Sequence, residues 1–131
     1  MWPRLEEVRA WPPLTDRPYE SLGHPPGHLL AEVRVSPEAR AAYLGLEPAS
    51  ELPVGAVVAQ FQHDPVADRP AGVFVMVKQT REQWQFMALD AGGRIRDPDR
   101  AQLCRRCHAD AASDYLFGLP RPRPAPEQGM R

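Results

Sequence analysis

The feature that most restricts how this chain folds is the close spacing of β-prone runs in its middle. Val54–Gln62, Gly72–Thr80 and Gln83–Asp90 are rich in Val and Phe, residue types that suit a pleated, half-buried surface. Turn-forming sequences separate them. Asp64-Pro65 with Asp68-Arg69-Pro70 makes one loop, Thr80–Glu82 a tighter one and Ala91-Gly92-Gly93 a third. A parallel crossover needs about a dozen residues or more, so such short links impose antiparallel hairpins. Leu29–Val35 alternates weakly and reads as a further strand, and Arg94–Arg96 as a short last one.

Helix signals flank this middle. Pro3 to Trp11 can form a short helix with Leu5 and Val8 on one side, stopped by Pro12–Pro13. Residues 12–28 are punctuated by Pro and Gly and read as irregular covering chain. Ser36 is a good N-cap, with Pro37 at N1, Glu38 in the first turn and Gly45 as the stop. Asp97 caps a last helix, with Pro98 at N1 and Asp99 in its first turn, leading into Leu103–His108. The expected fold is α+β, a mainly antiparallel sheet with a few helices. An N-terminal helix and covering segment (residues 1–27) precede the main domain (residues 28–120), and a Pro-rich, polar tail expected to be mobile (residues 121–131) ends the chain.

The length of 131 residues suits one domain. A net charge of −1 gives no argument for a nucleic-acid partner, and no apolar run approaches the roughly 18 residues of a membrane span.

Chemistry is concentrated in Cys104-Arg105-Arg106-Cys107-His108. Cys-x-x-Cys-His is the attachment signature of haem c. On a helix these residues lie at i, i+3 and i+4, hence on one face. Two thioethers from Cys104 and Cys107 then pin one haem edge while the His108 imidazole serves as the proximal iron ligand. Two other chemistries use the same residue types. A zinc site needs about four ligands, which His24, His28 and His63 could complete, although a second paired motif is lacking. A redox dithiol usually follows a strand in a βαβ pattern, whereas this motif lies inside a capped helix.

The surroundings of the motif resemble a known family. Gly72-Val73-Phe74-Val75-Met76-Val77-Lys78, then Trp84 and Phe86, then Leu103-Cys104-x-x-Cys107-His108 and Asp114-Tyr115-x-Phe117 resemble the cytochrome P-460 family, which includes the cytochromes c′-beta. Arg34-Val35, the helix over 36–45 and Leu52-Pro53-x-Gly55 fit the same pattern. The resemblance spans roughly residues 28–120. It implies an antiparallel β fold with helices, one haem c, a homodimer and an open distal side that takes NO or CO. Members with a lysine–haem cross-link oxidise hydroxylamine or NO, and the lysine's place falls here at Gln60. Lys78 is the chain's single lysine and matches a different position, so no cross-link is expected. Haem attachment of this kind occurs outside the cytoplasm. Met1–Trp11, carrying Arg4, Glu6, Glu7 and Arg9, is no signal peptide, so a periplasmic chain is expected, with a start methionine in place of its export signal.

Other candidates follow from the same comparison. Arg34 is a distal-pocket candidate, able to stabilise a polar ligand by charge-assisted hydrogen bonds, or else an ion-paired strand residue. Val58, Gln60 and Gln62 share one strand face, and Ala59 and Phe61 the other. Gln60 facing haem would set Gln62 near its rim. Phe61, Phe74 and Trp84 are candidates for an apolar cap over the iron or for ordinary core, and Tyr115 and Phe117 for packing around the proximal side. Met76, Met87, His24, His28 and His63 are the side chains able to supply a sixth iron ligand, which would make the protein an electron-transfer cytochrome with a redox partner. Arg105 and Arg106 are read as solvated charge pointing away from the attachment face.

Overall fold

A computed structural model describes residues 1–21, 29–96, 98–111 and 114–116. His24, His28, Asp97, Phe117 and the Pro-rich tail lie outside the described residues.

The chain forms one five-stranded antiparallel sheet with strands in sequence order, β1 (Tyr19–Ser21), β2 (Leu29–Val35), β3 (Val57–Asp64), β4 (Arg69–Thr80) and β5 (Gln83–Leu89). Helix α1 (Leu5–Arg9) precedes it, and a 3-10 turn (Pro37–Ala39) running into α2 (Arg40–Leu44) links β2 to β3. Helix α3 (Pro98–His108) follows the sheet. The α+β architecture expected from the short connections is the one observed. The strand expected at Arg94–Arg96 is reduced to a single bridge, Leu89 with Ile95.

Both faces of the sheet are covered, which explains the nearly unbroken apolar run in β4. Val33, Val35, Val58, Met76, Trp84 and Phe86 point to one face, where Tyr43, Leu52 and Leu116 close a core and Cys104 packs against it. Val57, Ala59, Val73, Val75, Met87 and Leu89 point to the other, beneath Trp2, Leu5 and Val8. The motif face and the α1 face are therefore separated by the full thickness of the sheet.

Three local expectations change. The segment read as irregular over 12–28 contains β1, an edge strand on β2 with Tyr19 opposite Ala31. Strand β3 begins at Val57 rather than Val54, because residues 53–56 are used in a turn, with the Ala56 N–H donating to the Pro53 carbonyl. Ser36 does not cap its helix with its side chain. It is buried, its N–H donates to the Val57 carbonyl and its Oγ accepts from the Val57 N–H. The first residue of β3 is a stronger claimant for that hydroxyl, since a buried N–H without a partner is costly.

Candidate haem site on the β5 and α3 side of the sheet

Helix α3 packs mainly on β5. It carries Cys104 half-buried against the core, Cys107 exposed and His108 half-buried. Neither cysteine is in a disulfide. Cys104 and His108, one helical turn apart, line a common cavity, whereas Cys107 sits at the solvent side of the helix.

The His108 ring is set from two directions. The Phe86 ring lies 5.6 Å away, tilted by 49°. On the other side, Nδ1 is 2.6 Å from the Tyr115 carbonyl oxygen. A carbonyl only accepts hydrogen bonds, so Nδ1 carries the proton and Nε2 keeps the lone pair that a metal needs. Burial holds the imidazole below its ordinary value of 6.5, against the opposing pull of the Tyr115 carbonyl. The ring is therefore neutral at neutral pH, the state in which histidine binds iron.

The cavity holds about 90 Å³. Its walls include Gln60, Phe74, Phe86 and Met76 beside Cys104 and His108, and Tyr19 and Tyr43 close it away from the helix. The Tyr19 hydroxyl is hydrogen-bonded by Gln60, whose Oε1 also accepts from Gln62 Nε2 at 3.0 Å. Burial raises the Tyr19 and Tyr43 phenols above their ordinary value, so both remain neutral. The wall facing α3 is thus apolar with one neutral polar corner.

The donor types match haem c: two cysteines outside any disulfide on one helix, an oriented neutral imidazole and an apolar wall with few polar groups, with Cys104 and His108 at the cavity and Cys107 exposed. The cavity is much smaller than a porphyrin, so haem would need the contacts around it to open.

The residues singled out in the sequence are divided by the fold. Gln60 and Phe74 join Cys104 and His108 at the cavity. Trp84 lies on the same face but is not a cap. It is buried at 2% exposure, and its Nε1 donates to Asp114 Oδ1 at 3.0 Å. Tyr115 contributes its carbonyl, with its ring 6.5 Å from Phe86. Phe61 and Arg34 are on the α1 face, because Val33 and Gln60 occupy the motif side at the paired positions. Arg34 stacks on Phe61 at 5.4 Å, pairs with Glu32 and donates to the Arg9 and Trp11 carbonyls. The distal-pocket reading of Arg34 and the cap reading of Phe61 are corrected accordingly. Met76 points to the motif face beside the cavity, whereas the Met87 side chain packs on the α1 face, which corrects its reading as a sixth ligand; His63 bonds Asp68 across the β3–β4 turn at 2.9 Å. Arg105 lies over the Phe86 ring at 5.4 Å rather than pointing wholly to solvent.

Sequence reasoning did not assign Phe86, Tyr19, Tyr43 or Asp114 to the site. Phe86 was within reach, since it alternates with Trp84 and shares its face. Among the described residues no group of three or more His, Cys, Asp and Glu side chains is placed to hold a metal ion, and no helix is long and apolar enough to cross a membrane. No protein-family model, curated protein or solved structure matches the chain.

Proposed function

We propose that this protein is a mono-haem c-type cytochrome of the cytochrome c′-beta kind, periplasmic and homodimeric, that binds a small gaseous ligand such as NO or CO in the handling of nitrogen oxides. The single observation that carries the proposal is the His108 Nδ1 contact with the Tyr115 carbonyl, which leaves Nε2 unprotonated on the helix that bears both thiols. Metal-ligating histidines are held in this way, the second ring nitrogen donating to a carbonyl or carboxylate.

Cys104 and Cys107 would hold the haem edge and His108 its iron. When bound, haem supplies an iron centre that exchanges one electron and takes a diatomic ligand. The protein's part is to orient the imidazole, keep it neutral and exclude bulk water with Phe74, Phe86 and Val58. Gln60 and Tyr19 offer hydrogen bonds at the polar corner of the same cavity. Lys78, at 1% exposure and bonded to Asp114 and the Leu52 carbonyl, is committed elsewhere. That supports a haem without an amine cross-link, and so a binding role over oxidation of hydroxylamine.

The position of Met76 at the cavity, on the motif face of the sheet, favours a second reading, electron transfer with this methionine as sixth ligand. The optical spectrum of the reduced protein with and without CO, alongside its denatured mass, decides between the two. A covalently retained haem and a large CO-induced change are expected. A low-spin spectrum indifferent to CO would favour electron transfer, and a mass lacking haem after expression with haem-attachment machinery would reject both.

A further inference from the structure

Resting on the haem reading above, we propose that Asp114 is the positioning residue of the proximal histidine, anchoring to the sheet the carbonyl that orients His108. Asp114 is nearly inaccessible, its side chain 4% exposed. Its Oδ2 accepts from the Leu52 N–H at 2.8 Å and from Lys78 Nζ at 2.5 Å, and its Oδ1 accepts from Trp84 Nε1 at 3.0 Å. Lys78 Nζ in turn donates to the Leu52 carbonyl at 2.8 Å. The carboxylate is thus held by donors from β4, β5 and the segment before β3.

What this anchor fixes is a backbone turn. Asp114 has φ +50° and Tyr115 φ +63°, two successive residues in the left-handed region that side-chain-bearing residues adopt rarely. Such a turn persists only where contacts hold it. It aims the Tyr115 carbonyl back at His108 Nδ1, and Leu116 beyond it is buried in the same core. Phe86 on β5 packs against the other side of the imidazole. Lys78 and Trp84 stand opposite each other in the β4–β5 register, as Met76 and Phe86 do two residues along on the same face. One pair of strands therefore sets both the ring's packing partner and the ring's hydrogen-bond acceptor. Buried ion pairs contribute little net stability compared with apolar replacements, but their directional contacts fix geometry, and geometry is what a metal ligand requires.

The test uses the full chain with Trp84→Phe, which removes only the donor to Oδ1, and Asp114→Asn, with Val8→Ala on the opposite face as a control for stability loss alone. Two readouts are taken: the His108 tautomer in the haem-free chain by nitrogen-15 NMR, and the iron–histidine stretch of the reduced haem protein by resonance Raman. The wild type is expected to hold the proton on Nδ1. Trp84→Phe and Asp114→Asn are expected to populate both tautomers and to shift the stretch to lower frequency, because the imidazole loses electron-donating strength with its acceptor. Val8→Ala is expected to change neither. A folded Trp84→Phe protein with the wild-type tautomer and stretch overturns the proposal, as does an equal change in Val8→Ala. Should Asp114→Asn fail to fold, Trp84→Phe decides alone. A wild type that takes up no haem rejects the function proposed above, while the tautomer measurement still decides the role of Asp114.

Discussion

Lys78 and Trp84 are register partners on β4 and β5, and their side-chain nitrogens meet one carboxylate from two sides. The ammonium also lies 5.7 Å from the indole centroid. The single lysine of the chain thus serves as an internal counterion, not as a surface charge.

Removing one partner of such a pair leaves the other charged and buried, which typically costs about 3–5 kcal/mol. Lys78→Met is expected to destabilise the protein by that amount in urea denaturation. The double variant Lys78→Met with Asp114→Leu is expected to recover a large part of the loss. A single-variant cost below about 1 kcal/mol would show that the pair is solvated.

Arg34 provides the opposite kind of prediction. Its contacts are with Glu32, with the carbonyls of Arg9 and Trp11, and with the Phe61 ring, all on the α1 face. Arg34→Ala is expected to lower stability by about 1–3 kcal/mol through lost charge-assisted hydrogen bonds and, on the proposed function, to leave the CO affinity of the haem-loaded protein unchanged. A tenfold or larger change in a CO titration would put the guanidinium on the ligand side after all.

Gly72 on β4 lies close against the backbone of β5. A Cβ there would lie 2.7 Å from the Leu89 carbonyl oxygen, and φ is +148°. Gly72→Ala is expected to cost about 1–3 kcal/mol. Hydrogen exchange should show the loss as faster exchange at the β4–β5 pairing around Val73 and Leu89.

Alkaline pH should act through the buried phenols. Burial raises Tyr19 and Tyr43 above the ordinary value of 10, so the folded chain retains phenol protons that the unfolded chain releases. Stability is therefore complete below pH 10 and falls as pH rises past it, by at most about 1.4 kcal/mol per pH unit for each tyrosine. Thermal unfolding between about pH 9 and 11.5 checks this. Tyr43→Phe is expected to flatten the decline.

The sheet was legible because connection length restricts pairing direction whatever the side chains do, and β2 falls on the residues its alternation marks. Which face receives α3 was not legible. Val57 and Val58 are both buried, on opposite faces, so strand alternation separates Gln60 from Phe61 without saying which one meets the motif. The Arg34 and Phe61 readings failed at that point. Strand β1 escaped notice because Pro18 and the surrounding turn-formers mask three residues that pair only at an edge. Asp114 lay beyond local reasoning altogether, its partner Lys78 being 36 residues away. A solitary lysine near a cofactor motif invites a chemical role, and only tertiary packing shows it as a counterion.

The sequential strand order has a consequence for how the protein is assembled. Each strand pairs with its immediate predecessor, a topology of short loop closures that forms quickly. Residues 19–89 can complete their pairing without α3, which comes later in the chain and has β5 as its main packing partner. The segment carrying Cys104 and Cys107 then packs onto a sheet whose strands precede it in the chain. On the haem proposal, its thiols would meet the cofactor while the surface the helix packs upon already exists.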